Sequence, residues 1–220
     1  MAELNRVAIF TNEYPPHVYG GAGVHVEYLS RALARSVEVD IRSFGDQHVD
    51  EGQLHVRGYL GWDEMQHNTD RRFTGALDAL SRSLAMAKDT LTADIVHCHT
   101  WYTDLAGFLA KQLWSVPLVV TIHSLEPLRP WKVEQLGNAY HVSSWMERTG
   151  IEQADAVVAV SSETRNDVLA NIAIIAAGVF TAFYPSAWPD LVVGLGIAIL
   201  NADAAREVWQ AAREEHRAAA

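Results

Sequence analysis

A glycine turn and three histidines are the residues whose types and spacing could do chemistry in this sequence. Gly20-Gly21-Ala22-Gly23 stands between a short apolar run and a helical pattern. Free backbone N–H groups at the positive end of a helix favour a phosphate there, and glycines let it approach closely. The same four residues equally describe a βα turn that holds no ligand. His97, His99 and His123 fall at the carboxyl ends of β-branched runs, the edge at which open α/β sheets bind ligands. A neutral imidazole at such a place can donate to a sugar hydroxyl, or can simply be a hydrogen-bonded loop residue. His97 and His99 share one face of a strand while Cys98 points to the other. No carboxylate cluster nearby completes a metal site, so neither a metal nor a cofactor is assigned.

These residues need a scaffold that delivers them to one edge. Arg6–Thr11 reads as a strand, followed by a turn-rich stretch and a helix with Val24, Tyr28, Leu29 and Leu33 on one side. Val37–Ile41 alternates as a second strand, and Leu54 and Val56 mark a further one. Phe73, Leu77, Leu80 and Leu84 recur at helical spacing within 72–88. Asp94–Cys98, Pro117–Ile122 and Ala156–Val160 are short runs between helical segments. Strands alternating with helices predict an α/β fold with a Rossmann-like, doubly wound parallel sheet.

Composition narrows the function. The 220 residues carry a formal net charge of -10, which disfavours attraction to nucleic acid or anionic lipid. A single cysteine, Cys98, excludes an intrachain disulfide and fits a reducing cytoplasm. The first residues, Met-Ala-Glu-Leu-Asn-Arg, do not read as a secretory signal.

Three longer segments carry a resemblance. They are Glu13-Tyr14-Pro15-Pro16 with Tyr19-Gly20-Gly21-Ala22-Gly23-Val24-His25-Val26, Val96 to Tyr102, and Thr121 to Lys132. With Ser143-Ser144-Trp145 and Ala154 to Ser161 following in order, they resemble the bacterial glycogen synthase family of GT-B retaining glycosyltransferases, in its actinobacterial type. The resemblance implies one half of a GT-B fold over 1–162, and glucosyl transfer from ADP-glucose to an α-1,4-glucan or glucose 1-phosphate. It further implies that Gly20, Gly21 and Gly23 face the donor diphosphate and that His123 is the catalytic contact to glucose. His99, Trp101 and Tyr102 would wall the cleft, and Glu126 with Arg129 to Lys132 would border the acceptor entrance. The family's second Rossmann domain, which grips the diphosphate and ribose, is expected to be absent, leaving the chain inactive alone.

Beyond Ser161 the composition changes. From Val168 to Leu200 the sole charge is Asp190, followed by an Ala/Arg/Glu-rich stretch to Ala220. Residues 163–220 read as a hydrophobic helical hairpin with a polar helical tail, at the lower limit for spanning a membrane through 168–200. Arg165 to Gly196 resembles the last two membrane helices of cation diffusion facilitator transporters, in which Glu163 and Asp167 would have ligand spacing; Arg165, Asn166 and Asp167 could equally cap a helix of the preceding domain. The sequence thus reads as a hybrid, from gene fusion, frameshift or an assembly artefact. Two rivals stand beside it. One is a membrane-associated sugar-binding module. The other is a partner module that pairs with a second chain through Leu125, Leu128 and Trp131.

Overall fold

The structure, a computed structural model, describes residues 4–66, 70–126, 129 and 132–160. They belong to one compact unit ending at Val160. The expected hairpin and tail, with Glu163 and Asp167, lie outside the described residues, as do Leu128 and Trp131. No helix among the described residues is long and apolar enough to cross a membrane.

Seven strands form one sheet: β1 Arg6–Thr11, β2 Glu38–Phe44, β3 His48–Glu51, β4 Leu54–Tyr59, β5 Ile95–His99, β6 Leu118–Ile122 and β7 Ala156–Ala159. Their order is β3-β4-β2-β1-β5-β6-β7. Only β3 runs antiparallel, paired to β4. The helices are α1 Gly21–Leu33, α2 Asp63–Gln66, α3 Arg71–Lys88, α4 Trp101–Trp114, α5 Lys132–Leu136 and α6 Ala139–Gln153.

β1 occupies the middle because it can be covered on both faces. Ala8 and Phe10 join Met86, Val96, Cys98, Ala106 and Leu118 on one side. Val7 and Ile9 join Val26, Val39 and Ile41 on the other. Continuous apolar runs are what a parallel strand under two helical layers requires. Small residues then set how closely a helix descends. A Cβ on Gly107 of α4 would lie 2.3 Å from Cys98 Sγ and 2.7 Å from Leu118 Cδ1.

Close approach also corrects the two helix faces expected from apolar spacing. In α1 the buried residues are Gly23, Val26 and Ser30, while Val24 and Tyr28 are exposed. Gly23 sits against Glu13, where an added Cβ would meet the Glu13 Cβ at 2.8 Å, and Ser30 Oγ lies 3.1 Å from the buried Tyr14 hydroxyl. In α3 the buried face is Ala76, Ala79, Ser83, Met86 and Ala87, and Leu84 is exposed. In both helices backbone proximity outweighs side-chain hydrophobicity.

Candidate functional site at the switch point

The chain leaves β1 towards β2 on one flank and returns to β5 on the other, so a crevice opens beyond the carboxyl ends of β1 and β5. Thr100, directly after β5, has φ 70°, a conformation that costs a non-glycine residue on the order of 1 kcal/mol and clusters at functional sites. Its hydroxyl donates to Asn12 Oδ1 at 2.8 Å, tying the ends of β1 and β5 together.

Four histidines meet beside this junction. His99 at the end of β5 and His123 just past β6 are joined through Nδ1 and Nε2 at 3.0 Å. His25, one turn into α1, has its ring centroid 5.5 Å from that of His99 and 5.3 Å from that of His123. The His97 ring lies 4.3 Å from the His99 ring and its Nε2 is 2.6 Å from Thr121 Oγ1. Cys98 faces the opposite core, as strand alternation predicts. Burial, reinforced by the neighbouring imidazoles, pushes His97 down to about 4 and His99 to about 2. His123 is lowered by burial and by His25, against an upward pull from the Glu13 charge. The His97, His99 and His123 rings are therefore neutral at pH 7, each able to donate from one nitrogen and accept at the other.

The glycine turn is held from behind by a carboxylate. Glu13 Oε2 accepts the N–H of Tyr19 at 2.9 Å and of Gly20 at 2.8 Å. Gly20, the N-cap, offers α1 no side-chain cap, so the amides of Gly21, Ala22 and Gly23 begin the helix without one. Open space surrounds Gly21, where an added Cβ would meet nothing within 4 Å. Glu13→Ala is expected to cost about 1–3 kcal/mol through loss of two charge-assisted hydrogen bonds. Amide exchange by NMR should quicken at Tyr19 and Gly20 first; unchanged protection there would show that the turn holds its shape without the carboxylate.

Glu13 also lines a cavity of about 660 Å³ with Asn12, Tyr19, Asp78, Arg82 and Tyr102, within the usual range for small-molecule sites. Of the three residues expected as its wall, Tyr102 lines it. Trp101, stacked on Tyr102 with centroids 3.9 Å apart, is buried with Ala79, Leu105 and Met146, and His99 is fully buried beneath the cleft. Arg82 closes one side, its Nε donating to Asp78 at 2.7 Å and its Nη1 to the Tyr59 carbonyl at 2.7 Å.

The residues expected at the acceptor entrance form a charge network in which Glu126 is buried and Arg129 and Lys132 keep partly exposed side chains. Glu126 has no exposed surface. Its carboxylate accepts from Lys132 Nζ at 3.1 Å and Ser143 Oγ at 3.2 Å, with Arg129 Nη1 at 3.9 Å. Its backbone N–H donates to Glu147 Oε2 at 2.9 Å. Burial, with the Glu126 charge adding to it, raises Glu147 to about 7. The network fixes the segment after His123 against α6.

His25 and Glu13 are the two members of the site that spacing did not single out. Their signal was available. A helix that starts at Gly21 places position 25 one turn in, over the strand ends, and a carboxylate just upstream of a glycine turn can take its amides.

Fold and site together define a Rossmann-like half of a GT-B glycosyltransferase. The chain belongs to glycosyltransferase family 4, whose model matches residues 19–181. It is 51% identical over 164 residues to an α-maltose-1-phosphate synthase of Mycolicibacterium smegmatis, covering 74% of this chain and 40% of that protein. It is 46% identical over 187 residues to the α-maltose-1-phosphate synthase of Mycobacterium tuberculosis, covering 85% and 43%. A glycogen synthase of M. tuberculosis is 27% identical over 216 residues, covering 83% and 50%. The sucrose-phosphate synthase of Thermosynechococcus elongatus superposes with a TM-score of 0.52 at 16% identity, over 74% of this chain and 44% of that one, which shows the shared fold. The chain thus spans half or less of the length of these curated relatives. The family match runs on through Glu163 and Asp167 to residue 181, so these two residues fall within the glycosyltransferase match, and the transporter resemblance is not supported.

Proposed function

We propose that this chain supplies the acceptor-side half of a retaining glucosyltransferase, which moves glucose from ADP-glucose to an α-1,4-glucan or to glucose 1-phosphate in the cytoplasm. One observation carries the reading: the neutral His99–His123 pair and the glycine-started helix α1 converge on one crevice. The names of the relatives, α-maltose-1-phosphate synthase and glycogen synthase, support the acceptor class, and the donor rests on the sequence resemblance.

In such a transfer the bond from the glucosyl carbon to the diphosphate oxygen breaks, and stabilising the departing charge is a major term. The amides of Gly21, Ala22 and Gly23 would face that charge. The imidazole pair shares one proton. When His99 Nδ1 donates to His123 Nε2, His123 keeps a proton on Nδ1 that it can donate to a glucose hydroxyl. Tyr102 and the polar groups of Asn12 and Arg82 offer the acceptor an apolar face and hydrogen-bonding partners. Glu126, Arg129 and Lys132 would act on the acceptor by holding the loop that follows His123.

The 220-residue polypeptide, tested alone, is expected to bind ADP-glucose or maltotetraose weakly in saturation-transfer NMR and to transfer no glucose above background. His123→Ala should weaken binding by about tenfold, the value of one buried hydrogen bond, with an unchanged circular dichroism spectrum. Turnover by the polypeptide alone, or full binding by the variant, would sink the proposal.

A further inference from the structure

The three imidazoles of His25, His99 and His123 each bring a ligand nitrogen to within 4.8 Å of the others. They come from different elements, namely α1, the end of β5 and the segment after β6, so the fold itself assembles them. We propose that they form an exchangeable site for a borderline divalent cation of the zinc type, with a fourth position open to the crevice.

The geometry favours this ion class. Two imidazole nitrogens on one tetrahedral zinc, at about 2.0–2.1 Å each, stand roughly 3.3 Å apart. The His99 Nδ1 and His123 Nε2 separation is 3.0 Å, so the two nitrogens already stand near ligand spacing; the rings turn their lone pairs to the cation, and the proton they shared moves to His99 Nε2. His25 must close the remaining distance. It is only partly buried, on the first turns of α1, and can turn about its side-chain bonds. An all-imidazole set suits zinc, copper or nickel and gives little to calcium or magnesium, which prefer oxygen.

The same structure limits the affinity. A metal-bound imidazole usually donates its second N–H to a partner, and losing that partner typically costs 10- to 100-fold in affinity. His99 Nε2 is buried without a hydrogen-bond partner among the described residues. The site therefore belongs to the weak, exchangeable class and not to the closed structural class. A cation here would also engage His123, and on the function proposed above it excludes the glucosyl group, acting as a reversible inhibitor.

The test measures metal, so it is independent of catalysis. The full chain, free of any histidine tag, is dialysed to equilibrium against Zn²⁺, and Co²⁺ is added in parallel to record its visible ligand-field absorption. One equivalent of metal and a tetrahedral cobalt spectrum are expected. His25→Ala should weaken binding by about tenfold or more and remove the spectrum, and His123→Ala should do the same. Thermal melts of each variant establish that it is folded. Among the described residues a competing set is His48 and His55 flanking Asp50 on the β3–β4 hairpin, at 3.2 Å and 2.7 Å. His55→Ala should leave the bound equivalent in place. Loss of the metal in His55→Ala, retention of it in folded His25→Ala, or no binding at all would overturn the proposal.

Discussion

Arg42→Met should lower the stability of the domain by about 3–5 kcal/mol, read as a shift of the urea midpoint with the slope unchanged. Arg42 is 3% exposed. Its guanidinium donates to the carbonyls of Met86, of Asp89 at 3.1 Å and of Thr90 at 2.7 Å. Those carbonyls end helix α3, where the last turn has no partners of its own and carries the negative end of the dipole. Methionine keeps an apolar stem over Phe10, whose ring centre lies 5.4 Å from the guanidinium carbon, but leaves the carbonyls buried and unmet. Lysine should recover only part, since one ammonium cannot reach as a planar fork does. The same helix carries Asp78 and Arg82 into the cleft, so ligand binding should fall with stability. A loss below about 1 kcal/mol would mean that water satisfies the end of α3.

The second large effect concerns pH. Asp104 in α4 is 2% exposed, its Oδ1 has no hydrogen-bond partner among the described residues, and burial, with the Glu147 charge adding to it, raises its carboxyl well above the ordinary range. A raised folded value means stability that is fully present below the ordinary pKa of 3.8 and is lost as pH rises from there. Glu147, raised to about 7, acts with the same sign from 4.5 upward. His97 and His99, at about 4 and about 2, act oppositely: their contribution is present above 6.5 and is lost as pH falls. Between about pH 4.5 and 6.5 these two pairs of groups offset one another, and His123, also lowered, adds to the histidine side, so the wild-type stability should rise modestly with pH. Asp104→Asn removes one of them at constant shape. Its stability should climb with pH across that window more steeply than the wild type's, by about 1.4 kcal/mol per unit, one proton's worth. Urea midpoints at several pH values check this. Curves for the two proteins that stay parallel would show that Asp104 is ionised in the folded chain.

Six of the seven strands were legible, β2 and β4 from alternation and the others from short apolar runs, of which β1, covered on both faces, is the clearest case. β3 was not. Its His-Val-Asp-Glu sequence is that of a mostly exposed antiparallel edge, held by pairing with β4 and not by burial. The faces of α1 and α3 misled for a related reason. Gly23, Ser30, Ala76 and Ala79 are buried because the backbone passes close, a property that side-chain hydrophobicity does not record. At the site, strand-end position found His97, His99 and His123. It could not show that Glu126 turns inward to Lys132 and Ser143, because that depends on where α6 lies in space. The convergence of His25 on His99 is likewise a product of tertiary packing.

The place of β1 has a consequence for synthesis on the ribosome. β1, which precedes the other six strands in the chain, becomes the middle of the sheet, paired to β2 on one edge and to β5 on the other. β2 follows soon after, but the second edge waits until Ile95–His99 has been made. Throughout that interval the nascent chain presents the unpaired backbone of a largely apolar strand, a template for unwanted strand addition. Translation pauses before β5 should therefore raise aggregation of the newborn chain, and pauses after it should not.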